Sequence, residues 1–193
     1  MEFNRISADA AVAPAAAGTA TELLERNGLD AFTHARLWRN PCGFAARFNY
    51  LALRYNIPLY GWVLQRFGLS RPEFVIIYSL SLMDGVTASE IAASTAFPKN
   101  TLSRAVSRIA RRGLIKRRAG ALDRRQQNLT LTARGRAILD EALPRFVALE
   151  AEMLCSLSLV ERETLSALLA KVLLSMFEGA GDKYPASGSL PRD

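Results

Sequence analysis

Residues 87–113 read TASEIAASTAFPKNTLSRAVSRIARRG, and this stretch holds two helix starts and one helix stop. Thr87-Ala-Ser-Glu90 has the spacing of a capping box, in which a hydroxyl meets the N3 amide and a carboxylate meets the N-cap amide. The helix it opens ends near Ser94. Pro98 suits the start of the next, because its ring fixes φ and removes an N–H that the first turn leaves unpaired anyway. Gly113 can take the left-handed conformation that closes a helix. The short link between Ser94 and Pro98 has helix-turn-helix length. Upstream, Ser70-Arg-Pro-Glu73 is another capping box and opens a helix through Met83.

The second helix of the pair is divided by type. At about 100° per residue, Leu102, Val106 and Ile109 fall on one side. Asn100, Arg104, Ser107 and Arg111 fall on the other, flanked by Thr101, Ser103 and Arg108, and Lys99 opens the helix. Every amphipathic helix has a polar side; this one is distinctive because no carboxylate occurs from Lys99 to Arg112. Arginine can donate a parallel pair of hydrogen bonds to guanine, and asparagine can pair with adenine. Serine, threonine and free amides near Pro98 suit phosphate oxygens. The expected double-stranded DNA contacts are Lys99, Asn100, Thr101, Ser103, Arg104, Ser107, Arg108 and Arg111.

Charge distribution agrees. The chain carries a net charge of +7, yet Lys99 to Arg125 holds ten basic residues against the single acid Asp123. A positive field confined to one stretch marks a polyanion-binding surface. Within it, residues 114–118 and 127–131 alternate as two short strands, and the loop between them is polar and basic. Such a β-ribbon could lay Arg124 or Arg125 in a minor groove or on phosphate. Asp123 would then hold a neighbouring arginine or shape the turn.

The ordered set Gly85-Val-Thr-Ala-Ser-Glu-Ile-Ala, Lys99-Asn-Thr-Leu-Ser-Arg-Ala-Val, Arg112-Gly-Leu-Ile-Lys-Arg, Asp123-Arg-Arg and Leu129-Thr-Leu-Thr-Ala-Arg-Gly resembles the MarR family (multiple antibiotic resistance regulators). The resemblance runs from about Leu69 to Met176. It implies a mostly α fold: a winged helix-turn-helix with a two-stranded β-wing, plus N- and C-terminal dimerisation helices. It also implies a homodimer on a near-palindromic operator, with Asn100 to Arg108 in the major groove and Asp123-Arg124-Arg125 as the wing motif. The usual outcome in the family is repression, often relieved by a small aromatic or phenolic effector.

The flanks fit that plan. Residues 1–20 are expected to form a flexible arm, 21–68 helices for dimerisation and a ligand pocket, and 69–131 the winged head. Residues 132–178 are expected as dimerisation helices and 179–193 as a flexible tail. Thr19 to Glu22 has capping-box spacing for a short helix running towards Phe32. A long helix is expected over 43–67, kinked or interrupted by Pro58. Thr132 and Ser158-Leu-Val-Glu161 should cap two further helices, the first bent by Pro144. Those terminal helices carry more apolar positions than one small head can cover, which favours association.

Eleven of the sixteen aromatic residues lie between Phe32 and Tyr78, with arginines interspersed. They are either core and dimer interface or the lining of an effector pocket near Arg47, Tyr50, Trp62 and Tyr78. Cys42 follows Pro41 near a helix start, where thiolate chemistry could be favoured. Redox sensing, which some members of the family perform through such a cysteine, is therefore an alternative to an ordinary buried or idle thiol. Cys155 is expected in the core, and His34 at the surface or in a cap.

Other classes find little material. No phosphate-binding glycine loop, zinc-protease motif, nucleophile elbow or paired Cys/His set is present, so an enzyme, a cofactor or a metal is not expected. A non-specific architectural DNA binder remains an alternative, separated from a regulator by its indifference to sequence. No apolar run approaches the length of a membrane span and no signal pattern opens the chain, so a cytoplasmic protein is expected.

Overall fold

The computed structural model describes residues 29–119 and 127–178. Among them are seven helices and one two-stranded sheet: α1 (Ala31–Trp38), α2 (Gly43–Phe67), α3 (Arg71–Leu82), α4 (Ala88–Thr95), α5 (Lys99–Arg111), β1 (Ile115–Ala119), β2 (Gln127–Leu131), α6 (Ala133–Met153) and α7 (Leu159–Glu178). The expected arm, the Thr19–Glu22 helix start, the wing tip with Asp123, Arg124 and Arg125, and the expected tail lie outside the described residues. The chain divides into two compact units, Met1–Ala52 and Leu53–Asp193.

In the first unit, Leu29 and Asp30 are not helical, and a fresh helix begins at Ala31. Its cap is Asp30, whose carboxylate accepts from the Thr33 amide at 2.9 Å and the Thr33 hydroxyl at 2.6 Å. His34 is half-buried and stacks on Trp38, one turn along α1, with ring centroids 6.0 Å apart. That corrects the surface-or-cap expectation, because the i, i+4 spacing brings the two rings together.

The core of the second unit gathers the inner faces of α2 to α6 and the sheet. Phe74 of α3 stacks on Phe146 of α6 at 5.1 Å, and Tyr60 of α2 meets both edge-on at 6.2 and 5.8 Å. Pro58 does not interrupt α2, which continues for 25 residues. One missing backbone bond costs about 3 kcal/mol, and the buried Leu59 and Val63 just beyond the proline offset it by about 1.5–3 kcal/mol each. Pro144 likewise lies inside α6, two residues before Phe146.

The capping boxes form as their spacing requires. The Thr87 and Ser158 amides donate to Glu90 and Glu161 at 2.7 and 2.8 Å. Thr132 accepts from the Gly135 amide at 3.1 Å while its hydroxyl reaches the Gly113 carbonyl at 2.8 Å, tying the start of α6 to the end of α5. Gly135 is needed there, because a Cβ would stand 2.2 Å from the Leu114 carbonyl oxygen.

Cys155 lies just after α6 and is exposed, not in the core as expected. The chain turns there, at Leu154 to Ser156, between α6 and α7. Helix α7 buries none of its described side chains; Leu168, Val172, Leu173 and Leu174 are all exposed.

Candidate nucleic-acid interface

The helix-turn-helix is α4, a turn, and α5. The turn closes at Ala96, a residue with a side chain held at φ 55°, in the left-handed region usually given to glycine. Pro98 then opens α5, its carbonyl accepting from the Thr101 and Leu102 amides at 2.9 and 3.2 Å. Leu102, Ala105, Val106 and Ile109 anchor the inner side of α5 in the core. The opposite side is therefore fixed by packing, not by its own polarity.

On that outer side, Lys99, Asn100, Ser103, Arg104, Ser107, Arg108 and Arg111 are exposed, and Thr101 is half-buried. The polar side chains do not share one state. Arg108 Nε donates to Glu73 Oε1 at 2.7 Å. Glu73 is almost wholly buried, and its other oxygen accepts from the Ser70 amide and hydroxyl, each at 2.7 Å. Burial acts to raise the Glu73 pKa, but hydrogen bonds from the Ser70 hydroxyl, Arg108 and the Ser70 amide outweigh it and hold it below the ordinary value. Ser107 is also engaged: its hydroxyl donates to the Ser103 carbonyl at 3.0 Å and accepts from Arg117 of β1 at 2.9 Å. Arg104 and Arg111 make no side-chain hydrogen bond or ion pair among the described residues.

Just beyond α5, Arg112 donates to the Gly68 and Phe67 carbonyls at 2.8 and 2.6 Å. A cation on the last carbonyls of α2 complements the partial negative charge at that helix end. Arg134 in turn donates to the Arg112 carbonyl at 3.2 Å, closing the end of α5.

The sheet flanks this helix. Strands β1 and β2 are antiparallel, in register from Ile115 opposite Leu131 to Ala119 opposite Gln127. Ile115 and Leu129 face the core, while Lys116, Arg117 and Arg118 are exposed. Residues 85–87 add a short third edge that the sequence did not suggest: Gly85 donates to the Leu129 carbonyl at 2.9 Å, and Leu129 to Val86 at 3.0 Å. Glu73, Arg112 and Arg117 were missed as parts of the site. Glu73 was legible only as a cap and the two arginines only as charge.

Residues 67–126 match a MarR family model. Over 105 residues the chain is 28% identical to the transcriptional regulator HosA of Escherichia coli, covering 54% of this chain and 78% of HosA. It is 29% identical to the HTH-type transcriptional repressor Rv2887 of Mycobacterium tuberculosis, over 54% of this chain and 76% of that one. A MarR family transcriptional regulator from Silicibacter pomeroyi superposes with a TM-score of 0.64 at 27% identity, covering 74% of this chain and 92% of that one.

Over its winged head the chain is similar to the MarR family. These matches support a MarR family winged helix-turn-helix regulator, with α5 as its second helix and β1–β2 as its wing.

The four residues expected at an effector site are divided between the two units. Arg47 and Tyr50 belong to the first compact unit, Trp62 and Tyr78 to the second. Arg47 donates to the Leu37 carbonyl at 3.1 Å and lies over Phe44 at 4.4 Å and Trp38 at 5.4 Å. Trp62 meets Phe67 edge-on at 5.4 Å and carries Arg145 over its ring at 5.1 Å. Tyr50 and Tyr78 are partly exposed. Much of the aromatic concentration thus serves the core, through Tyr60 and Phe74. Cys42 is exposed immediately before α2, its carbonyl accepting from the Ala46 amide at 3.0 Å. Among the described residues no group of three His, Cys, Asp or Glu side chains gathers as a metal site, and no helix is long and apolar enough to cross a membrane.

Proposed function

We propose that this protein is a MarR family repressor, cytoplasmic and sequence-specific, that binds a near-palindromic operator as a homodimer and yields to a small aromatic effector. The observation that carries the reading is α5 itself: its apolar side is anchored in the core, and its outward side is basic and free of carboxylates. Lys99, Asn100, Ser103 and Arg104, near the amino end of α5, are the residues suited to enter a major groove. Arg111 and the exposed Lys116 and Arg118 of β1 suit phosphate; Arg124 and Arg125 suit a minor groove or phosphate, with Asp123 holding a neighbouring arginine or shaping the turn. The names of HosA and the M. tuberculosis repressor support regulation as the outcome.

Dimerisation accounts for α7. An isolated helix of this kind does not keep so many apolar side chains in water, and a second copy would cover them. Two heads about one helical turn apart then match a two-fold symmetric site. Footprinting on the promoter upstream of the chain's own gene tests the proposal. Protection of an inverted repeat is expected, lost when Arg104→Glu reverses the charge. Uniform protection without preference would mark an architectural DNA binder instead.

A further inference from the structure

We infer that Arg104 is the arginine of α5 that reads base identity, and that Glu73 is a positioning residue that withholds Arg108 from this task. The inference rests on the major-groove reading above and assigns its specificity. Arg104, Arg108, Arg111 and Arg112 all lie on or beside α5, and sequence alone cannot rank them. Their partners can.

Arg112 is committed to the end of α2 through two carbonyls. Arg108 is held through Nε by a carboxylate that is itself fixed, since Oε1 takes Arg108 and Oε2 takes both Ser70 donors. Reading guanine requires a guanidinium fork extended into the groove with two donors aligned on the base. An arginine tethered sideways to a buried anion cannot extend without stripping Oε1 of its donor and the carboxylate of its cation, which is costly. Arg111 has no such tether but sits seven residues after Arg104, about 10 Å further along the helix. Helix-turn-helix docking sets the amino-terminal part of the second helix against base edges, so Arg111 is placed for phosphate. Arg104 alone is exposed, lies in the first two turns and has no partner among the described residues. Ser103 and Asn100 share its face and set the neighbouring positions.

The test is site selection by the purified full chain from a pool of duplexes with a randomised core, run alongside Arg104→Gln, Arg108→Gln and Glu73→Gln. The native chain should enrich one inverted motif. Arg104→Gln should lose its preference at one base pair in each half-site, by roughly tenfold to a hundredfold. Arg108→Gln should select the unchanged motif with lower affinity, whereas Glu73→Gln, which releases Arg108, should add a preference at one further base pair that the double variant loses. Should Arg108→Gln fail to fold, Arg108→Lys keeps a cation near Glu73 and should recover affinity for the same motif. A motif altered by Arg108→Gln or Arg108→Lys, with Arg104→Gln leaving it intact, overturns the inference alone. A native chain that enriches no sequence overturns the proposed function beneath it.

Discussion

Arg108 Nε lies 2.7 Å from Oε1 of Glu73, a residue 35 positions earlier in the chain. The same carboxylate receives the Ser70 amide and hydroxyl, so one buried anion both caps α3 and sets the rotation of α5 against it. The buried end of the pair matters most, because an anion taken out of water must keep its donors. Arg108 is about half exposed, so solvent screening tempers the strength of the pair.

The folded-state pKa of Glu73 is lowered. Its ionised form therefore stabilises the fold above the ordinary carboxylate pKa of about 4.3, and that stabilisation is lost as pH falls through the lower folded value. Glu90 and Glu161 are shifted the same way by hydrogen bonds from Thr87 and Ser158, and they form a background common to variant and native chains. Urea unfolding of Glu73→Gln at neutral pH should show a loss of about 1–3 kcal/mol. Repeated at acid pH, the gap between variant and native chains should narrow; a gap that widens would contradict the sign.

Gly135→Ala should destabilise the chain. Alanine ordinarily favours a helix by about 0.5–1 kcal/mol over glycine, but here the added methyl would meet the Leu114 carbonyl at 2.2 Å. That neighbour is backbone at the base of the wing and cannot swing away. Overpacking should win, leaving a net loss of about 2 kcal/mol, read as a lower urea midpoint with an unchanged slope.

Ala96→Gly should act in the opposite direction. A non-glycine residue at φ 55° carries a left-handed penalty of about 1–2 kcal/mol, partly regained because glycine loses more freedom on folding. A net gain of about 0.5–1 kcal/mol is expected from thermal unfolding. DNA affinity should stay within a factor of about two, since the turn geometry is preserved and such a change is well under 1 kcal/mol.

Placing charge on α7 should separate the protomers of the proposed dimer. Leu168→Lys with Val172→Lys alters two exposed positions one turn apart, leaving the monomer core untouched. Sedimentation should show monomers, with helix content retained and operator affinity sharply reduced. A dimer that survives the pair of lysines would move the interface elsewhere.

The helix starts at Ser70, Thr87, Thr132 and Ser158 were legible in the sequence, as were the two faces of α5 and the paired strands of the wing. Each is a local matter: a cap joins residues three apart, and helical or strand period decides which side chains share a face. Asp30 was the unread signal for α1, three residues before the Thr33 that it binds. Of the two outcomes expected at Pro58, a kink or an interruption, the interruption does not occur, because the burial of Leu59 and Val63 outweighs the local penalty.

Tertiary packing alone decided which partner each of three arginines meets. Arg108 finds Glu73 across 35 residues, Arg112 finds Phe67 and Gly68 across 45 and 44, and Arg117 crosses from the wing to Ser107. The sequence could establish that a positive surface existed and which helix carried it. It could not tell the tethered arginines from the untethered ones, because guanidinium groups of equal charge differ only in which anions and carbonyls the fold brings within reach.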